Sequence, residues 1–252
     1  MVTIKKTLLI LIVVSGTLLL HTTLLKTDEK PVVTSINSQT KTDVDQIEVK
    51  DTILDVPLEN QFEGDIPLEN GCEITALSML LQYYGFQTNK NDLADKLASV
   101  PVYEDEENNI HGDPQEGFVG NIYEGYMAMG AFVEPIADVA SEIVQNEYQV
   151  VQSRKADFEA LLQQVKTGTP VWIVSTVDFA VPSEDDFMLW QTKSGSVSVT
   201  ALCHAVVITS VSETNVYVNN PYGEKNEEIN RDVLKSIYEK MGSQSLYLVQ
   251  KN

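Results

Sequence analysis

Apolar residues recur at three- and four-residue spacing in CEITALSMLLQYYG: Ile74, Leu77, Leu80, Leu81 and Tyr84 fall on that period. The pattern predicts a strong helix from Cys72 to Tyr84, stopped by Gly85. A short helix capped at Asn91-Asp92 and running to Leu97 is expected next. The run RKADFEALLQQVKTG places Phe158, Leu161, Leu162 and Val165 on one face of another helix, closed by Gly168 and Pro170. VWIVSTVDF from Val171 and the long run SVSVTALCHAVVITSV read as β-branched strands. NVYVNNP pairs with the second of these through the turn SETN. Asn230 to Met241 reads as a helix ending at Gly242, and SLYLV as a closing strand. Helices first and antiparallel strands afterwards predict an α+β domain. Residues 103–126, rich in glycine, acids and aromatics, have no regular period and are expected to form a long ordered loop.

The N-terminus follows different rules. Lys5 and Lys6 precede a mostly apolar stretch reaching Leu25. Positive charge before an apolar run reads as a signal peptide or membrane anchor over 1–25. Thr7 to Leu25 is just long enough to span a bilayer at about 1.5 Å per residue. No Ala-x-Ala-like cleavage site is visible, which favours an uncleaved anchor with the domain on the extracellular face of the cell membrane; a cleaved signal makes the protein secreted. Residues 26–50 are polar and aperiodic and read as a flexible stalk. Residues 51–252 are then the folded domain, roughly 200 residues, enough for a sizeable core. The 252-residue chain carries a formal charge of −20, which excludes nucleic-acid binding through phosphates. The expected state is a monomer.

Two cysteines and three histidines leave few possible constellations for nucleophilic chemistry. Cys72 stands at the start of the first helix, where unpaired N–H groups and the helix dipole favour a thiolate. It is the candidate nucleophile, expected to be accessible and of low pKa. His204, the one basic residue in its apolar strand, is the candidate base. Asn220 is the candidate orienting group for the imidazole; on a regular strand only one of Asn219 and Asn220 can face the site. Gln61, upstream of Cys72, is a candidate oxyanion donor. Cys203 abuts His204 and is expected on the opposite strand face, inert in the core. Oxygen ligands at Asp105, Glu107, Asn109, Asp113 and Glu116 are spaced like a calcium loop, but Ile110 stands where such a loop needs glycine. No metal or cofactor is assigned.

The segments LDVPLENQ, ENGCEITALSMLLQYYG, GDPQEGFVGNIY, CHAVVITSV and VNNPYG together resemble the bacterial papain-like cysteine peptidases related to the bacteriocin-processing, double-glycine leader peptidases, in their stand-alone membrane-anchored or secreted form. The resemblance runs from about Leu54 to Leu248. It implies a papain-like fold, with a helical part carrying the cysteine and an antiparallel sheet carrying the histidine. It implies Cys72 as nucleophile, His204 as base and Gln61 as oxyanion donor. That family usually has aspartate before the proline where this chain has Asn220. The expected activity is hydrolysis of a peptide bond in a peptide or protein substrate outside the membrane. Two alternatives accompany it: a cell-wall peptide hydrolase or transferase, and an inactive papain-like domain that binds a peptide or protein partner.

Overall fold

The computed structural model describes residues 53–64 and 66–251. The expected anchor at 1–25 and stalk at 26–50 lie outside the described residues. Among the described residues, no helix is long and apolar enough to cross a membrane.

Five α-helices and twelve strands make up the described chain, with one short 3-10 turn at Glu184–Asp186. They run α1 (Cys72–Tyr83), α2 (Lys90–Ala94), β1 (Ser99–Val100), β2 (Tyr103–Asp105), β3 (Ile110–His111), β4 (Phe118–Val119), α3 (Val133–Val144) and β5 (Tyr148–Ser153). Then come α4 (Phe158–Lys166), β6 (Val171–Thr176), β7 (Met188–Thr192), β8 (Gly195–Val199), β9 (Cys203–Val211), β10 (Asn215–Asn220), β11 (Glu224–Asn230), α5 (Arg231–Lys240) and β12 (Ser245–Gln250). The fold is α+β.

A six-stranded antiparallel sheet of order β11-β10-β9-β6-β12-β5 forms the frame. Helix α1 packs on its two central strands, β9 and β6, and against α2 and α3. Burial of α1 exceeds the single face that its period predicts: every residue from Cys72 to Leu81 is buried. The chain around α1 therefore has to satisfy Thr75, Ser78 and Glu73 internally. Thr75 Oγ1 donates to the Gly71 carbonyl at 2.8 Å, and the Trp172 indole on β6 donates to the Glu73 carbonyl at 3.0 Å.

Several expectations meet corrections. The short helix α2 is capped by Asn89, whose side chain accepts from Asn91 and Asp92, and it ends at Ala94 rather than Leu97. The expected loop over 103–126 contains β2, β3 and β4, strands of two or three residues that are too short to show alternation. The single long strand expected over 196–211 is two strands. Thr200–Leu202 turn the chain from β8, in a four-stranded sheet of order β2-β3-β7-β8, into β9 of the large sheet. Thr200 makes that turn, its hydroxyl accepting from Leu202 N at 3.2 Å and its carbonyl from Cys203 N at 3.3 Å. Helix α3 and strands β5, β7 and β11 carry no element predicted from the sequence. The small sheet has its own core of Val119, Phe132, Trp190, Val197 and Val199. His111 is stacked on Trp190 at 4.0 Å and tilted on Tyr103 at 4.4 Å.

Strand β10 is irregular where it matters. Its register slips against β9 between Tyr217 and Val218, and against β11 between Val218 and Asn220. A slip breaks strict side-chain alternation. Asn219 and Asn220 are accordingly both buried. Asn219 donates to the Val56 and Pro57 carbonyls at 2.9 and 3.3 Å and accepts from Asn226 N at 3.0 Å. It ties the first described segment to the sheet. Asn219→Ala is expected to cost about 2–3 kcal/mol, because it strands buried backbone partners. Asn215→Ala, whose amide bonds the exposed Glu228, should change stability by less than about 0.5 kcal/mol. Urea unfolding of both variants checks the difference; equal losses would contradict this account.

Candidate active site

Cys72 is the first residue of α1, and Gly71 precedes it without a side-chain cap. The backbone at 71 passes so close to Leu68 that a Cβ would lie 2.5 Å from the Leu68 Cβ. Glycine therefore lets the chain enter the helix directly and leaves the first-turn N–H groups beside the thiol. Gln61 stitches this approach to the opposite wall. Its N–H donates to the Pro221 carbonyl and its carbonyl accepts from Leu68 N, both at 2.8 Å. Its side-chain amide donates to the Leu68 and Glu69 carbonyls at 3.0 and 3.1 Å. Gln61 thus lines the same cleft as Cys72, with both amide hydrogens already engaged.

His204 enters from β9, opposite Ser175 of β6. Its Nε2 is 2.9 Å from Asn220 Oδ1. The amide orientation of Asn220 follows from its other partners: Nδ2 donates to Glu227 Oε2 at 2.8 Å, and Oδ1 accepts from Tyr222 N at 3.0 Å. Nε2 is therefore the protonated nitrogen, and Nδ1 carries the lone pair. Nδ1 is buried and has no hydrogen-bond partner among the described residues. Tyr222 covers the ring at 4.7 Å, and Phe179 stands edge-on at 6.5 Å. Burial pushes the imidazole pKa down to about 4, and the Asn220 bond opposes that shift. The resting histidine is neutral.

The thiol lies in an unexpected electrostatic setting. Cys72 Sγ donates to Glu73 Oε2 at 3.2 Å, and Cys203 Sγ lies 4.0 Å from Glu73 Oε1. Burial first, then the Glu73 charge, then Cys203, raise the Cys72 pKa well above its ordinary value. The Ala205 backbone N–H, next to His204, works the other way by favouring the thiolate. The expected low-pKa thiol is thus not what the surroundings produce: desolvation and a like charge outweigh the helix N-terminus. Glu73 is itself buried, which raises its own pKa, while Ala131 N donates to its Oε1 at 3.2 Å. Gly130 makes room for it, since a Cβ at 130 would collide with Oε1. Cys203 also departs from expectation. As the first residue of β9 it is half-buried and lines the same cleft as Cys72. Both cysteines are free thiols.

Sequence reasoning brought forward Cys72, His204, Asn220 and Gln61; it missed Glu73, Tyr222, Glu227 and the position of Cys203. Glu73 and Tyr222 stand inside the quoted segments ENGCEITALS and VNNPYG. An acid in a helix's first turn ordinarily serves as a dipole partner, so residue type and position alone do not single out Glu73. The residues spaced like a calcium loop are divided between a hairpin and the turn after it. Asn108 donates to Asp105, and Thr192 and Ser194 donate to Asp113. Among the described residues no group of three or more His, Cys, Asp or Glu could hold a metal ion.

A cysteine at the N-terminus of the central helix, which packs on an antiparallel sheet carrying a histidine bonded to an asparagine, defines a papain-like architecture. The chain belongs to the Peptidase_C39 like family, whose model matches residues 53–246. It is similar to the "Uncharacterized protein YvpB" of Bacillus subtilis (strain 168), with 34% identity over 195 residues, 77% of this chain and 75% of that protein. It is also similar to the crystal structure of a candidate C39-like peptidase from Bacillus anthracis, with a TM-score of 0.73 and 32% identity, covering 81% of this chain and 99% of that one.

Two measurements test the electrostatics. Glu73→Gln removes the charge beside the thiol, so iodoacetamide should alkylate Cys72 roughly tenfold faster at pH 7, with the rate midpoint shifted down by about one pH unit. An unchanged or slower rate would remove Glu73 as the restraint. For His204, the folded pKa of about 4 lies below the ordinary 6.5, so the unfolded chain binds the extra proton between those values. Stability from this group is complete above pH 6.5 and falls as pH drops towards 4. The parent should lose up to about 3 kcal/mol more than His204→Gln across that window, by urea unfolding at each pH.

Proposed function

We propose that this chain is a cysteine peptidase that hydrolyses a peptide bond outside the membrane, with Cys72 as nucleophile, His204 as base and Asn220 as the group orienting the imidazole. The bond of 2.9 Å between His204 Nε2 and Asn220 Oδ1 carries the reading. It leaves Nδ1 free as a proton acceptor, on the strand whose Ala205 N–H favours the Cys72 thiolate. Family membership supports the peptidase class.

The resting pair is neutral thiol and neutral imidazole. The Cys72 proton therefore passes to His204 Nδ1 as the sulfur–carbon bond forms. The oxyanion is met by first-turn N–H groups of α1 and by the Gln61 amide, which releases its longer bond to the Glu69 carbonyl to do so. The carbon–nitrogen bond then breaks, and Nδ1–H protonates the departing amine. Water hydrolyses the thioester and restores the thiol. Asn220 replaces the aspartate usual in the resembling family, and its neutral oxygen fixes the tautomer without favouring imidazolium. The apolar N-terminal segment with Lys5 and Lys6 before it supports an exported, membrane-anchored protein.

A second reading has one observation in its favour. The raised Cys72 pKa suits a domain that binds a peptide without cleaving it. The full chain, assayed against a mixed peptide library with mass-spectrometric detection of new termini, separates the two. The parent should cleave, Cys72→Ala should not, and Asn220→Ala should be slowed about 10- to 100-fold in assays run well below its melting temperature, which should itself fall because the Tyr222 and Glu227 partners of the amide are left unpaired. Asn220→Asp should retain activity. No cleavage by the parent, with no labelling of Cys72 by a thiol-directed electrophile, would establish the binding reading instead.

A further inference from the structure

Beside the Cys72 cleft lies a second cavity of about 130 Å³. Met129, Thr200 and Cys203 line both, so the two meet along one wall. Its remaining surface differs sharply from the cleft. Phe132, Phe187 and Met241 make an apolar floor, and Arg154 and Lys240 bring positive charge. The cleft, in contrast, is lined by Glu69 and Glu73. In a chain with 17 Lys and Arg against 37 Asp and Glu, two cations on one small cavity are conspicuous.

The cations are placed but not used up. The Arg154 guanidinium stacks 4.5 Å over the Phe132 ring, and one nitrogen donates to Gln115 Oε1 at 2.9 Å. Glu134 approaches it only to 3.7 Å. A guanidinium has five N–H donors in a rigid fork, so donors remain for a carboxylate. Lys240 pairs with Glu184 at 2.9 Å, but that glutamate side chain is 90% exposed. A surface pair of this kind contributes at most about 1 kcal/mol, and a better-held carboxylate can take its place.

We infer that this cavity is the specificity pocket of the site and takes an acidic substrate side chain, glutamate above all, from a peptide whose scissile bond lies over Cys72. The two methylenes of glutamate suit the apolar floor, and its carboxylate meets Arg154 and Lys240. Because the pocket is reached along the Cys203 wall, the glutamate sits near the scissile bond rather than at a distant exosite. The inference rests on the peptidase reading for the position of the scissile bond, but the pocket's preference is a binding property and can be measured without turnover.

The test uses the full chain and terminally blocked peptide pools in which one position at a time is Glu, Gln, Lys or Leu. In the cleavage arm, one position near the cut should show at least tenfold higher kcat/KM for Glu than for Gln or Leu, with Lys lowest. In the binding arm, the same pools are titrated onto Cys72→Ala by calorimetry, and Glu should again bind at least tenfold tighter than Gln at one position. Lys240→Glu, at an exposed helix end, should abolish the Glu preference and move it towards Lys. Arg154→Gln should reduce it, with a thermal melt as control because Arg154 also packs on Phe132. Acid-preferring binding without cleavage would keep the pocket and overturn the peptidase reading. Equal Glu and Gln pools in both arms, a Leu preference, or a Glu preference that survives Lys240→Glu would overturn the pocket assignment.

Discussion

Helix α1 has no solvent face over its first ten residues, and the site follows from that burial. A helix enclosed on all sides must satisfy every polar group on its first turn from its surroundings. The Trp172 indole holds the Glu73 carbonyl from the sheet, and the Gln61 backbone holds the approach to Gly71 from the turn after Asn220. These bonds tie the helix that carries Cys72 to β6, the neighbour of the strand that carries His204, and tie the approach to that helix to the turn that follows Asn220. The same enclosure that sets the positions also removes water, and loss of water decides the protonation states.

The resting site is accordingly electrically quiet. Burial keeps His204 neutral, and burial together with Glu73 keeps Cys72 a thiol. A preformed thiolate–imidazolium pair would need two charges in a poorly hydrated setting, and desolvation opposes both. In the proposed reaction, proton transfer then accompanies nucleophilic attack instead of preceding it. Asn220 suits this regime, since its dipole selects the tautomer without adding a third charge. Its Nδ2 bond to Glu227 on β11 fixes the amide and so fixes the tautomer at one remove.

Charge varies over short distances around the cleft. Glu69 and Glu73 line the Cys72 side of the Cys203 wall, and Arg154 and Lys240 lie beyond it. The turn at Thr200–Leu202 creates this division, because it hands the chain from the small sheet to the large one and sets Cys203 between the two spaces.

The 3.6-residue period of 72–84 and the β-branched runs of β6, β9 and β10 made the central helix and the core strands legible, because each is long and its side chains follow one rule throughout. The positions of Cys72, His204 and Asn220 on these elements were legible for the same reason: each is a chemically distinct residue at an identifiable point of such an element. Strands β2, β3 and β4 were not, since two or three residues carry no period. The break at Thr200 was hidden because both flanking strands are apolar and the turn residues are unremarkable. That Asn219 and Asn220 are both buried required the slipped register of β10, which only its pairing with β9 and β11 imposes. The thiol's protonation state belongs wholly to the tertiary structure. Sequence places Cys72 at a helix N-terminus, where the dipole lowers the pKa, but only the folded chain brings Glu73, Cys203 and the surrounding burial to bear on the sulfur, and desolvation in a low-dielectric site exceeds the pull of a helix end.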